Sequence, residues 1–402
     1  MEKLICRISD IGIVVGGGTP STKNPAYWGG NIPWISPKDL TDYKYTYISR
    51  GENFLTEKGL KSGTRLLPKD TVLFSSRAPI GYVALAANPI CTNQGFKSIV
   101  CDSSKVEALY LYYYLKANLD YIKLFGTGAT FPEISGKTMG KIKIEIHKGL
   151  DTQHRIASIL SAYDSLIENN TKRIRLLEKM AENLYKEWFV RFRFPGYEKA
   201  EMENGLPKGW KISRIKDFGR IETGKTPSTK KSEYYGGKIL FVKTPDMHEG
   251  FFVSSTEETL SDLGSESQEK KLLPPYSIMV SCIGTGGVVA INAKPAHTNQ
   301  QINSIILSDA SDLEWIFMVC KGLKTTIELF GATGATMTNL SKGKFEKLKV
   351  IEPPNCVRYD FHNKTRSTFK LIQELSKQNT LLARRRDLLL PRLMSGKLEV
   401  KP

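Results

Sequence analysis

"GGGTPSTKNPAYWGGNIPWISPKDL" (residues 16–40) is written a second time, with changes, as "TGKTPSTKKSEYYGGKILFVKTPDM" (residues 223–247). The pairing runs on along the chain. "LLPKDTVLFSSRAPIGYVALAANPICTNQ" (66–94) returns as "LLPPYSIMVSCIGTGGVVAINAKPAHTNQ" (272–300), and "LFGTGATFPEISGKTMGKIKI" (124–144) returns as "LFGATGATMTNLSKGKFEKLKV" (329–350). A long stretch of mixed polar and apolar residues follows each copy, at 151–190 and 357–395. The order is globule, helix, globule, helix: an internal repeat that fixes the organisation before any single residue is interpreted.

The repeat also serves as a control on motifs. Residues 219–226, "GRIETGKT", satisfy G-x-x-x-x-G-K-[ST], the phosphate-cradling loop. In the first copy Gly18 stands where Lys225 stands in the second, so the shared element is G-x-TPSTK and the phosphate lysine is not part of it. Pro227 follows at once, and "STKKSEYYGG" offers no apolar helical face to carry a phosphate on its N-terminus. "LPPY" (273–276) resembles an amino-methyltransferase signature but begins with Leu273, which cannot hold a target amine, and its twin reads "LPKD". Pro245, Asp246, Glu269 and Lys271 have the spacing of a PD…ExK nuclease site, yet "SESQEKK" is too polar for the strand that should carry E-x-K. No catalytic constellation survives.

Lys and Arg number 58 against 41 Asp and Glu, a formal net charge of +17 over 402 residues. An excess of that size costs self-repulsion and points to a polyanionic partner, nucleic acid first. No apolar run reaches the roughly 18 residues of a membrane-spanning helix. The N-terminus lacks a signal peptide's apolar core. Six cysteines show no C-x-x-C pair, so neither a zinc site nor a disulfide framework is indicated, and a cytoplasmic location is expected.

Within each globule, "TVLFSS", "GYVALAA" and "FKSIVC" correspond to "SIMVSC", "GVVAIN" and "INSIIL", β-branched runs bounded by Gly, Pro or Asn. Helices are expected over 105–123 and 311–329, with short ones from Ser135 and Ser341. The fold class expected is α+β: two tandem domains, each a curved sheet with helices. In the first connector Ile156, Ile159, Tyr163, Leu166, Asn170, Leu177, Met180 and Leu184 recur at three- and four-residue spacing. In the second Phe361, Thr368, Ile372, Leu375, Asn379, Leu382, Leu389 and Leu393 do so. That is coiled-coil patterning over about five heptads, interrupted by Arg173 and Arg386 at core positions. The two stripes are expected to pair with each other as antiparallel helices separating the domains. The expected divisions are domain 1 at 1–148, spacer helix 1 at 149–193, a linker at 194–210, domain 2 at 211–352, and spacer helix 2 with its tail at 353–402.

These residues resemble the specificity subunit of type I restriction–modification enzymes over essentially the whole chain. The most specific pieces are "LYKEWFVRFRFPG" (184–196), "LPKGW" (206–210) and "LLLPRLMSGKLEV" (388–400), with the paired G-x-TPST, TNQ and FG-x-GAT elements. The resemblance implies a non-catalytic subunit in which each target-recognition domain reads one half of a bipartite DNA site. It implies that the helical spacer sets the gap and docks two methyltransferase subunits. S-adenosylmethionine, ATP and Mg²⁺ are then expected on partner subunits, including a motor-nuclease, and not on this chain. A stand-alone DNA-binding or architectural protein on the same scaffold is the alternative.

The repeat suggests which residues meet DNA. Positions alike in both copies should serve the scaffold or phosphates: Thr19, Ser21, Lys23, Asn93 and Gln94, with Thr226, Ser228, Lys230, Asn299 and Gln300. For the two asparagines a turn held by local bonds is an equal alternative. Asp39 and Asp246 either accept from cytosine or cap a turn. Loop positions that differ should read bases: Ser36, Lys38, Arg77 and Glu133 in copy one, and Lys243, Thr244, His248 and Asn339 in copy two. Arg77 faces Ile283 across the repeat, so a guanine contact by Arg77 would be private to the first domain; a surface ion pair is the competing expectation. Gly126, Gly128, Gly331 and Gly334 are expected either to let the backbone approach DNA or to form turns, with turns preferred. Trp188 and Phe189 are expected either as an exposed docking surface for a partner or as the cap of the helical pair.

Overall fold

The computed structural model describes residues 2–128, 130, 132–331 and 338–400. The chain divides into two compact units: Met1–Asn169 with Asn379–Pro402, and Asn170–Gln378.

In the first unit a five-stranded sheet is ordered Gly12–Gly16, Lys97–Cys101, Val72–Ser76, Ile80–Ala86, Tyr47–Ile48. Val72–Ser76 is central and buried along its whole length, which its unbroken run "VLFSS" requires: a strand covered on both faces has no polar side to alternate with. A second sheet has Trp28–Ile35 in the middle, antiparallel to Asn53–Leu55 and parallel to Cys91–Thr92. A two-stranded ribbon of Lys3–Arg7 and Lys143–His147 completes the strands. The expected helix at 105–123 is two helices, Ala108–Ala117 and Leu119–Lys123, divided at Asn118. The first is capped by the Glu107 side chain, which accepts from Tyr110 N at 3.0 Å. It buries Tyr110, Tyr113 and Tyr114, and each phenol finds a partner: His147 Nδ1 at 2.9 Å, Asp164 Oδ2 at 2.5 Å, and the amide of Glu145 at 3.0 Å. A buried hydroxyl left unpaired would cost more than its burial returns.

The second unit repeats this plan. Its five-stranded sheet runs Gly219–Thr223, Ile302–Leu307, Ile278–Ser281, Val289–Asn292, Phe252–Val253, each strand the repeat counterpart of the one at that place in the first unit. Its three-stranded sheet is Thr259–Leu260, Tyr235–Val242, Ala296–Thr298, and Lys211–Arg214 pairs with Lys349–Glu352. Leu313–Gly322 and Lys324–Gly331 stand for the divided helix. Gly331 closes that helix where a turn was expected, and Gly334 lies outside the described residues. Gly128 has φ 116°, in the left-handed region that favours glycine. Short helices start from Ser135 and Ser341 as their N-terminal flanking residues.

The long helices are Leu150–Tyr185, closing in a wider π turn over Lys186–Val190, and Asn355–Ser395. Within each unit their segments pair antiparallel. In the first, Asp164 meets Arg386, while Ile156, Ala157 and Leu160 pack in one core with Leu393 and Met394. In the second, Asn170 bonds Gln378 and the Tyr185 ring packs on Phe361. Ile372 and Leu375 are buried; Tyr163, Leu177, Leu184, Leu382 and Leu389 are half-buried.

Three stripe positions on the first helix fail. Ile159, Leu166 and Met180 are 38%, 52% and 53% exposed; Leu160 and Ile167, one residue on from the first two, are buried and half-buried in their stead. Both phases put an apolar residue on the stripe, and burial against the partner helix selects between them. Arg386 does occupy the seam, because Asp164 and Asp387 neutralise it there, whereas Arg173 faces solvent. Trp188 and Phe189 are not an exposed docking surface. Each is only 6% exposed, packed with Phe361, Trp210 and Trp315 in the core of the second unit.

Candidate nucleic-acid interface

The repeated motifs meet at equivalent places in the two units. Gly17 and Gly18 lead into "TPST", and Gly18 N donates to Thr92 O at 2.9 Å; Lys225 N donates to Thr298 O at the same distance. A Cβ on Gly17 would sit 2.0 Å from Asn93 O, and one on Gly224 2.2 Å from Asn299 O. This close approach of two backbones is why glycine begins G-x-TPST in both copies. Gly219–Thr223 is a sheet strand and Lys225 belongs to the loop crossing over TNQ, so the phosphate-loop string has neither the loop nor the helix that its chemistry needs.

The TPST and TNQ motifs are joined by one bond made twice. Thr19 Oγ1 bonds Gln94 Oε1, and Thr226 Oγ1 bonds Gln300 Oε1 at 2.7 Å. Asn93 Oδ1 accepts from Gly95 N at 2.9 Å and Asn299 Oδ1 from Gln301 N at 3.1 Å, so both asparagines hold turns. Ser21, Lys23, Ser228 and Lys230 stand exposed on the adjoining loop.

Asp39 and Asp246 also perform one task twice. Asp39 Oδ2 accepts from Ser36 N and Oγ at 2.8 and 2.7 Å, and its Oδ1 from Glu52 N at 2.7 Å. Asp246 Oδ2 accepts from Lys243 N at 2.8 Å and Oδ1 from Glu257 N at 3.1 Å. Of the two alternatives, the geometry is the cap: each carboxylate stitches a turn to a distant loop. Lys38 pairs with Glu52 on the surface, Lys243 with Glu258, Thr244 is buried, and His248 is exposed. Asp246 is thus engaged with its own loops, and Lys271 with Glu222, so the PD…ExK string is not assembled as a metal site.

Where the two copies differ, the structure gathers residues scattered in sequence. Ile134 N bonds Ser76 O at 3.0 Å, and Leu340 N bonds Cys282 O at 2.9 Å, the same link in each unit. Beside it, unit 1 carries Arg77, Lys97 and Glu133. Glu133 Oε1 lies 3.1 Å from Lys97 Nζ and its Oε2 3.4 Å from Arg77 Nη1. Burial raises the Glu133 pKa, but the Lys97 bond and charge, with Arg77, outweigh that and hold the carboxyl below its usual range. Unit 2 carries Ile283, Asn303 and Asn339 at those positions; Asn303 is buried between Thr223 and Leu340 O, and Asn339 is exposed. The frame is common and the chemistry is not: ionic in one copy, amide and apolar in the other.

Lys97 and Gln301 join the site without having been singled out in the sequence. Gln301 was legible as the residue opposite Gly95, a full side chain against none. Lys97 carried no local signal, since its partner Glu133 lies 36 residues away.

Comparison with known proteins agrees with this architecture. The profile of the type I restriction modification DNA specificity domain matches residues 3–179 and 207–356. The type I restriction enzyme MjaIX specificity subunit of Methanocaldococcus jannaschii is 37% identical, over 98% of this chain and 93% of its own length. The HindI specificity subunit of Haemophilus influenzae is 32% identical, over 73% of this chain and 77% of its own. The crystal structure of the S subunit from M. genitalium has a TM-score of 0.66 at 14% identity, covering 98% of this chain and 96% of that one, and so shares the fold. With two matched segments spanning most of its length and a relative above one-third identity end to end, the chain belongs to the type I restriction–modification DNA specificity family.

Proposed function

We propose that this chain is the DNA-recognition subunit of a type I restriction–modification assembly, with each unit reading one half of a bipartite site. One observation carries the reading: a single frame occurs twice in one chain, held by the same Thr–Gln, Asn-turn and Asp-cap bonds, and displays different side chains on each copy. A protein that must recognise two unlike half-sites needs that combination. The net charge of +17 supplies the sequence-independent attraction to phosphates on which base readout is superimposed. Tethering the two readers multiplies their selectivity, because the second half-site is met at high effective concentration.

Chemistry on the DNA then belongs to partners. Two methyltransferase subunits bringing S-adenosylmethionine and a motor-nuclease using ATP and Mg²⁺ fit this division of labour, and the paired long helices are the spacer that sets the unread gap. A cytoplasmic location goes with such an assembly. The alternative of a stand-alone DNA binder is not favoured, because the relatives match 98% and 73% of the chain and are named as restriction-enzyme specificity subunits.

The test is co-expression with the cognate methyltransferase and single-molecule sequencing of host DNA. Methylated adenines should fall in one bipartite motif with a fixed gap. Removing one matched heptad from each long helix shortens the helical segments by about 10 Å at 1.5 Å per residue, roughly three base pairs. The gap should contract while both half-sites persist; altered half-sites at an unchanged gap would sink the spacer assignment.

A further inference from the structure

The DNA-recognition reading leaves open which side chains tell the two half-sites apart, and one place where the units differ bears on it. In unit 1, Ser76 N donates to Gly95 O at 2.7 Å; in unit 2, Cys282 N donates to Gln301 O at 2.7 Å. The residue before each carries the same backbone bond, so Arg77 and Ile283 follow equivalent anchor points. A Cβ on Gly95 would lie 3.7 Å from Arg77 Cγ, ordinary contact distance, so the arginine stem runs beside Gly95. In unit 2 the arrangement is inverted. Gln301 supplies the long side chain, its Nε2 3.8 Å from the Cβ position of Gly284, next to Ile283. Gln301 Oε1 accepts from Asn299 Nδ2 at 3.1 Å and Thr244 Oγ1 at 3.4 Å. Those bonds engage the carbonyl and leave the amide nitrogen as the donor end of the side chain, on the Gly284 side.

We infer that this position reads one base pair in each half-site: Arg77 takes a guanine in the first, and Gln301 with Ile283 takes a thymine in the second. The inference rests on the DNA-recognition reading and adds residues and bases to it. A guanidinium fork matches the paired O6 and N7 acceptors of guanine. An amide donor beside a branched alkyl group matches the O4 acceptor and C5-methyl that thymine presents in the major groove. Glu133 does not prevent the arginine from engaging DNA. It touches Arg77 through a single 3.4 Å contact, while Lys97, whose side chain is 14% exposed, holds it at 3.1 Å and bonds Gln94 O at 3.2 Å. When Arg77 turns to a base, the carboxylate stays neutralised by Lys97, which is therefore a positioning residue.

The experiment maps methylated adenines genome-wide for the chain co-expressed with its methyltransferase, as wild type and as Arg77→Gln, Arg77→Ile and Ile283→Arg. Arg77→Gln should move one base pair of one half-site from G·C toward A·T, since Gln pairs bidentately with adenine. Arg77→Ile should relax that same pair, removing a preference of about 5- to 150-fold, the range a bidentate contact supports. Ile283→Arg should remove the thymine requirement from the other half and leave the first half and the gap intact. A motif unchanged by both Arg77 variants overturns the inference. So does loss of all methylation with both Arg77 variants while the chain stays folded by circular dichroism, because the residue then serves the frame. Failure of the wild type to direct bipartite methylation would instead count against the DNA-recognition reading itself.

Discussion

Arg386 is a charge placed in a helix seam, and its neighbours let the cost of stranding it be worked out. Its Nη1 bonds Asp164 Oδ1, and Asp164 Oδ2 accepts from the Tyr113 hydroxyl at 2.5 Å. The side chains of Asp164 and Arg386 are 15% and 20% exposed. Burial, then the Asp164 charge, push the Tyr113 phenol far above its ordinary range, so it remains a donor at any working pH. Asp164→Ala strands both partners. Breaking a buried pair costs about 3–5 kcal/mol. The lower end applies here, since Asp387, 61% exposed, still pairs with Arg386 at 2.8 Å. The orphaned Tyr113 hydroxyl adds about 1 kcal/mol. A total of about 4 kcal/mol lowers the melting temperature of the first unit by about 8–16 °C. The assay is thermal unfolding followed by circular dichroism, with urea titration as a second probe. Replacing the whole network, as Tyr113→Phe with Asp164→Leu and Arg386→Leu, should recover to within about 1–2 kcal/mol of wild type, because packed apolar residues need no charge compensation. A shift under about 2 °C for Asp164→Ala, or a triple variant no better than the sum of the singles, would refute the reasoning.

Two further outcomes follow from burial. His297 lies buried in Ala296–Thr298 with Nε2 2.8 Å from Ser265 Oγ, and burial pushes its imidazole down to about 4. The unfolded chain takes up that proton near about 6.5, so between these values unfolding gains a proton and stability falls as pH falls, levelling below the folded value. His297→Cys, the residue that Cys91 supplies at the equivalent place, should flatten that window; equal losses of urea midpoint between pH 7.5 and 5 in variant and wild type would exclude the effect. Trp188→Ala should cost about 3–5 kcal/mol through the cavity it leaves beside Phe189 and Phe361. A variant that melts normally yet no longer co-purifies with a methyltransferase would restore the docking assignment that burial argues against.

The main strands of the two units were readable because repetition and β-branched runs report on local pattern, while their order in the sheets came only from the fold. "TVLFSS" and "SIMVSC" are central strands in both. The stripe on the first long helix was readable in period but not in phase. Ile159 and Leu160 are both apolar, and only the partner helix distinguishes the residue that packs from the one that does not. Trp188 and Phe189 were visible as aromatic, while their burial depends on Trp210, Trp315 and Phe361 arriving from three other parts of the chain.

The amino-acid sequence alone determined that one domain is encoded twice, that a helical stretch follows each copy, that the chain is strongly basic, and that its phosphate-loop and nuclease strings are coincidental. These are properties of neighbours in sequence and of one copy set beside the other. Tertiary structure decided what depends on distance through space. It set Lys97 against Glu133, closed the turns with Asp39 and Asp246, neutralised Arg386 with Asp164, and placed Arg77 beside Gly95 and Gln301 beside Gly284. The physical reason is the range of the forces. Hydrogen bonds and ion pairs act over a few ångströms between residues that the chain separates by tens or hundreds of positions, and only the fold brings them within reach.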